Sequence, residues 1–223
     1  MYFTILFQLF NFINMSITVF IQARLKSKRL PNKVIKTINN KTIIEHLINQ
    51  ISFSKKIDKF FFLIPKNDHK LKKYLLKKKI KFITGSEKNV LNRFYKAYKL
   101  TKAKNIIRLT ADCPLIDPKI IDKLINYFNK NSYDYINLGN SFAEGQCAEI
   151  FSSKVLEFLK KNAKTSFEKE HVTILLRRKK NKLKLKTLEN NNNDYNLRYT
   201  LDRKEDFKVI QKIILNFKNK KYI

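Results

Sequence analysis

The stretch Ile17-Thr-Val-Phe-Ile-Gln-Ala-Arg24-Leu-Lys-Ser-Lys-Arg29-Leu-Pro-Asn-Lys33 decides how the chain is read. Ile17 to Ile21 is uncharged and largely β-branched, the pattern of a first strand buried on both faces. It empties into a loop whose charges are all positive: Arg24, Lys26, Lys28, Arg29 and Lys33. Where a parallel strand ends in a loop before a helix, open α/β sheets hold their ligands. The cations predict that this ligand is an anion. A basic loop is also what a solvated face looks like, so placement matters more than number. Arg24 stands at the strand exit, Arg29 just before Leu30-Pro31 and Lys33 just after that turn.

Downstream, elements of both periodicities alternate. Thr42-Ile-Ile-Glu45 is a capping box, followed by Ile43, Ile44, Leu47, Ile48 and Ile51 at helical spacing. Phe60 to Ile64, closed by Pro65, reads as a second buried strand, Asp68 to Lys79 as a basic helix and Ile80 to Thr84 as a short strand. A helix with Val90, Leu91, Phe94 and Tyr98 on one face precedes a strand over Asn105 to Thr110. Asp117-Pro118 supplies an N-cap and a favoured first helical residue. Strands are expected at Tyr133 to Asn137, Ala148 to Ser152, Leu183 to Leu188 and Leu197 to Leu201. Thr165-Ser-Phe-Glu168 should open a helix reaching about Arg178, and Asp202 should cap a last one. The alternation predicts an α/β fold, a mainly parallel sheet with helices on both faces.

Length and composition bound the rest. The chain has 223 residues, enough for a sizeable core and few enough for one domain, expected over residues 15–217 with a basic tail at 218–223. Its formal net charge is +30, which points toward polyanions. The excess is mostly dispersed Lys, accompanied by Asn, Ile and Phe, as AT-rich coding would produce whatever the function. A nucleic-acid binding module, motivated by Lys70 to Lys79 with Tyr74 between, is therefore the alternative reading, and one aromatic among lysines is a poor stacking platform. Cys113 and Cys147 are the only cysteines, which excludes a disulfide framework and a four-cysteine zinc site and makes a reducing cytoplasm the default.

Met1 to Ala23 carries no charge and is long enough to raise the question of a membrane span. Seven polar residues interrupt it, no basic residue opens it, and its second half is needed as the first strand. Met15 is then the expected start, with residues 1–14 an upstream extension or an apolar appendage, and no membrane span is expected.

Five blocks in order resemble one family. Ile21 to Lys33 is similar to the I-Q-A-R-M-G-S-T-R-L-P-G-K signature of the spore-coat-polysaccharide type of cytidylyltransferase, relatives of CMP-sugar synthetases for 3-deoxy-manno-octulosonate and sialic acids. The others are Gly85-Ser-Glu through Val90-Leu-Asn-Arg93, Arg108-Leu-Thr-Ala-Asp112-Cys-Pro-Leu-Ile-Asp117, Glu144-Gly through Glu149-Ile-Phe-Ser152, and Glu170-His-Val-Thr173 with Thr200-Leu-Asp202. The resemblance implies a three-layer Rossmann-like nucleotidyltransferase fold and transfer from CTP to a sugar or sugar acid, releasing pyrophosphate. It implies Mg²⁺ as cofactor and no specific nucleic acid as partner, and it leaves open a homodimer and, as an alternative, the same fold with a different NTP or acceptor.

It also implies residue roles. Ala23, Arg24, Arg29 and Lys33 match the phosphate loop, Gly85, Ser86 and Arg93 the nucleoside contacts, and Glu149 and His171 positions near the sugar. Arg24, Lys33 and Asp112 match catalytic positions, and Asp112 and Asp202 match metal carboxylates. From the residues alone Asp112 could equally be a turn-forming Asx, and Asp202 with Glu205 has the spacing of a reciprocal helix cap. Lys26, Lys28 and Asn32 stand where the pattern has Gly, Thr and Gly. Glu144 and Cys147 stand where it has Asp.

Overall fold

The computed structural model describes residues 16–178 and 182–217. The expectations for residues 1–14 and the 218–223 tail fall outside them.

Seven strands form one sheet: β1 (Ile17–Gln22), β4 (Lys59–Pro65), β5 (Phe82–Gly85), β6 (Asn105–Thr110), β7 (Tyr135–Leu138), β8 (Glu149–Ser152) and β9 (Leu185–Leu188). Their order is β5-β4-β1-β6-β8-β7-β9. All neighbours pair in parallel except β8, which runs antiparallel to both β6 and β7. A small antiparallel ribbon, β2 (Thr37–Ile38) with β3 (Lys41–Thr42), lies apart from it.

Helices cover both faces, as the alternation predicts. Alternate residues Ile17, Val19 and Ile21 of β1 face one core with α1 (Ile43–Ile51), α2 (His69–Lys77) and α4 (Pro118–Asn131). Phe20 faces the other, against α3 (Val90–Thr101) and α5 (Ser153–Asn162), with its ring edge-on to Phe94 at 6.0 Å. A third cluster joins Leu30 of the basic loop to Leu201 and to Ile210 and Ile214 of α8 (Lys204–Asn216). Residues far apart in sequence are thereby gathered beyond the carboxyl ends of the neighbouring interior strands β1 and β6.

The helix starts follow their sequence signals. Thr42 Oγ1 accepts from Glu45 N while Glu45 Oε2 accepts from Thr42 N, and Asp117 accepts from Lys119 N with Pro118 first in the helix. Four expectations need correction. The helix opened by Thr165 stops at Glu170, and a separate short one, α7 (Leu175–Arg178), follows α6 (Ser166–Glu170). Between them the buried, β-branched Val172 takes φ 36°, which no continuous helix allows. Leu197 to Leu201 is extended but pairs only through a Glu144–Arg198 bridge, so it is no strand. The helix at Ser153, carrying Val155, Leu156 and Leu159 inward, is an addition. Asp202 is not the cap of the last helix: Asp206 reaches back to accept from the backbone N–H groups of Asp202 and Arg203. The spacing rule found a reciprocal cap one residue early and assigned it to the wrong acid.

Candidate active site

β1 and β6 pair with Gln22 opposite Thr110, and Ala111 N donates to Gln22 O at 3.0 Å. Arg24 and Asp112 therefore leave adjacent strand ends side by side. The basic loop is folded tightly between them. Asp68, at the start of α2, accepts from Leu25 N at 2.8 Å, and Asn32 N donates to Leu25 O at 3.1 Å. Asn32 has φ 57°, a left-handed conformation that Asn adopts more readily than most residues. It supplies the conformation of the glycine it replaces, and Lys26 and Lys28 keep negative φ.

Lys33 turns inward from this loop and is only 8% exposed. Its Nζ donates to Asp112 Oδ2 at 2.6 Å, Leu201 O at 2.8 Å and Asp202 Oδ1 at 3.4 Å. Three donors meet three acceptors, which is what a buried ammonium requires. Arg29 pairs with the other oxygen of Asp202. Leu201 N donates to Asp112 O at 2.7 Å, so the 201–202 segment is laid directly along the end of β6.

A second set of charges holds Asp202 in place. Arg198 bonds Asp206 through Nε at 2.9 Å and also pairs with Glu144. These carboxylates raise its pKa against the opposing effect of burial. Burial would raise Asp206, yet bonds from Arg198 and from the Arg203 and Asp202 amides together hold its carboxyl below the usual range.

Across the cleft, Arg93 of α3 is 3% exposed and packs against Gly85. A Cβ on Gly85 would meet Arg93 Cγ at 2.9 Å and Cα at 3.2 Å. One guanidinium nitrogen donates to Ser86 O at 2.9 Å, while the buried Nε has no partner. Burial, reinforced by the charge of Arg24 and only offset by Glu87, pushes its pKa down to about 10. It stays charged at neutral pH, and no carboxylate forms an ion pair with it among the described residues.

On the same face, Arg108 of β6 bonds Glu149 of β8 at 2.9 Å and Gln22 Oε1 through Nε at 3.3 Å and a terminal nitrogen at 3.1 Å. Glu149 also accepts from Tyr135 and from Thr173. The turn at Val172 is what presents Thr173 to it. Both oxygens of Glu149 are thus occupied by the protein.

Ala23, Arg24, Lys33, Arg93, Asp112 and His171 line one cleft of about 180 Å³. Arg24, Arg29, Lys33 and Asp202 line an adjoining groove of about 1210 Å³. Arg24 is exposed and forms no salt bridge among the described residues. His171 is exposed and packs on Phe167 with ring centres 4.3 Å apart. Gly85 and Ser86 line neither of these cavities and instead contact Arg93, and Glu149 opens on a neighbouring cavity of about 450 Å³.

For a metal, Asp112 is the suited group. Its side chain is 27% exposed, and Oδ1 has only a Cys113 thiol 3.9 Å away. Among the described residues no three His, Cys, Asp or Glu gather as a cage. One or two carboxylates completed by phosphate oxygens is the donor set that Mg²⁺ takes.

An open sheet with a cationic loop at its first strand, facing an aspartate at a neighbouring strand end, defines the chain as a nucleotidyltransferase. The family described as cytidylyltransferase matches residues 18–222, and the chain belongs to that family. It is 35% identical over 209 residues to the uncharacterized protein MJ1063 of Methanocaldococcus jannaschii, covering 91% of this chain and 85% of that one. It is 30% identical to the spore coat polysaccharide biosynthesis protein SpsF of Bacillus subtilis, covering 86% and 83%. A cytidylyltransferase structure from Leptospira borgpetersenii superposes with TM-score 0.85 at 29% identity, covering 92% and 88%.

Sequence reasoning assigned no role to Gln22, Asp68, Arg108, Arg198 or Asp206. Arg108 carried a signal, because a lone arginine inside Ile106-Ile-Arg-Leu109 must find acceptors at the strand's end. Arg198 and Asp206 carried none, since their partnership depends on how the 197–203 segment crosses β6.

Proposed function

We propose that the chain transfers the cytidylyl group of CTP to a hydroxyl of a sugar or sugar acid, giving a CMP-sugar and pyrophosphate for surface polysaccharide or glycan synthesis. The observation that carries this reading is Lys33, held between Asp112 and Asp202 at the mouth of the cleft. The SpsF relative, named for polysaccharide synthesis, supports the sugar acceptor, as do the sequence blocks.

In-line attack at the α-phosphorus builds charge on the equatorial and leaving oxygens. Arg24, open to the cleft, receives the triphosphate. Arg29 and Lys33 already face a second anion, and phosphate oxygens compete with the two aspartates for them. Such pre-oriented donors each contribute about 10²- to 10³-fold to turnover. Arg93 has an unanswered charge, and the nucleoside fills the space above it. Mg²⁺, held by Asp112 with Asp202 as its second carboxylate, would neutralise phosphate charge. The acceptor hydroxyl itself attacks, so no protein nucleophile is required. The enzyme works in the cytoplasm, as one domain over residues 15–217.

Pyrophosphate release from CTP and Mg²⁺ across a panel of 2-keto sugar acids and neutral sugars tests the activity. Thermal shifts with the four NTPs test the donor, because a ligand stabilises only the protein that binds it. No CTP binding and no turnover would remove the reading.

A further inference from the structure

Gln22 ends β1, immediately before the phosphate loop, and its side chain lines the 180 Å³ cleft. Its carboxamide orientation is fixed by chemistry. Arg108 donates to it through two nitrogens, at 3.3 and 3.1 Å, and a guanidinium has no acceptor to offer. The oxygen must face Arg108, so the two N–H bonds of Nε2 must face away. Nε2 makes no hydrogen bond within the described residues, and it is not among the buried polar atoms left without a partner. It is an open donor on a residue that lines the same cleft as Arg24 and Asp112.

Arg108 is itself held rigidly. Its pairing with Glu149 is 17% and 16% exposed, and Tyr135 and Thr173 complete the carboxylate's bonds. Burial and the neighbouring Glu149 raise the pKa of the Tyr135 phenol, so it remains a donor. Tyr135 and Thr173 hold Glu149, Glu149 holds Arg108, and Arg108 holds the Gln22 carboxamide, so one chain of bonds across four strands ends on a free amide group. Locked acceptors on one side and an unspent donor on the other are what a ligand-orienting residue needs.

We infer that Gln22 binds the nucleotide, donating from Nε2 to an oxygen of bound CTP, and that Arg108 is the positioning residue that keeps the donor turned outward. This rests on the CTP reading above.

The test titrates CTP with Mg²⁺ calorimetrically into the full chain, with no acceptor present. Gln22→Glu leaves Arg108 an oxygen to bond, turns the cleft-facing half from donor to acceptor and adds a negative charge. Gln22→Met removes the donor without adding charge. Both are expected to weaken CTP binding, the first by about tenfold or more, the scale of a hydrogen bond to a charged group, the second by less. In an Arg108→Lys background the Gln22→Met loss should shrink, because the donor is no longer aimed, and this coupling is something a purely structural Arg108 would not show. Unchanged CTP affinity in Gln22→Met overturns the inference. So does a loss confined to Gln22→Glu, which would be repulsion alone. If the wild-type chain binds no CTP, it is the proposed function that falls first; if wild type binds and the variants bind equally, only the role of Gln22 falls.

Discussion

Lys33 Nζ lies 2.6 Å from Asp112 Oδ2, joining residues 79 positions apart in sequence. The bond ties the basic loop to the end of β6 and leaves Asp112 Oδ1 with only the Cys113 thiol, 3.9 Å away. Asp112→Asn keeps an acceptor for Lys33, so the melting temperature should stay close to wild type. Pyrophosphate release should fall by about 10²-fold or more. Turnover that survives the change would remove Asp112 from the chemistry.

Lys33→Met leaves Asp202 with Arg29 and Arg198 as its cations and Asp112 without an ion-pair partner among the described residues. Breaking a mostly buried pair from one side costs about 3 kcal/mol, and urea unfolding should show a loss near that size. CTP affinity should drop as well. A fully stable variant with normal affinity would contradict the structure.

Gly85→Ala tests the packing beneath Arg93, where the nucleoside is proposed to bind. The new methyl group meets the Arg93 side chain at 2.9 Å and its backbone at 3.2 Å, tighter than real contacts allow. Overpacking of this kind costs about 1–3 kcal/mol, and a displaced guanidinium should weaken CTP binding in parallel. If only stability changes, Arg93 does not reach the nucleotide.

Asp206→Ala leaves two backbone N–H groups and Arg198 without their carboxylate. A lost cap with charged partners should destabilise the chain by about 2 kcal/mol. Because Asp202 is steadied by the same group, turnover should fall although residue 206 lies outside the cleft. Separate measurements of unfolding and of initial rate at saturating CTP check the two effects.

The pH dependence of stability has a local source at Glu45. Burial would raise its carboxyl, but bonds from Lys78 and from the Thr42 backbone and hydroxyl hold it down to about 2, against 4.5 when unfolded. Between those values the unfolded chain binds the proton more readily, so the contribution is complete above pH 4.5 and disappears as pH falls toward 2. The melting-temperature gap between wild type and Glu45→Gln should therefore be widest near neutrality and close in acid. A gap independent of pH would show that the box is held by Thr42 alone.

Much of this molecule can be read locally. The uncharged run from Ile17, the Thr42 box and Asp117-Pro118 each specify their element through neighbours a few residues away, and each forms as expected. The readings that changed depend on distant partners or on one backbone angle. An Asp202–Glu205 spacing cannot reveal that Asp206 folds back instead, and periodicity through Thr165 to Arg178 cannot register the left-handed Val172. Val155, Leu156 and Leu159 do carry helical spacing, but they sit among lysines. The site divides the same way. The cations and Asp112 stand out by their place beside strand ends, whereas the internal pairing of Lys33 exists only once the 201–202 segment lies along the end of β6, and the engagement of Glu149 by Arg108 only once β8 pairs with β6.

That antiparallel strand also sets an order of assembly. β5, β4, β1 and β6 are mutual neighbours, and residues 17–110 contain all four. β7 comes next along the chain but touches none of them, because β8, made later, lies between. During synthesis, which runs from the N-terminus, the first four strands can close while β7 still lacks a partner. Only when β8 emerges and turns back can β7 join. The polar row of Gln22, Arg108 and Glu149 is then completed as a late event on a finished half-sheet, and a ribosome-bound fragment ending before Glu149 would hold the basic loop without it.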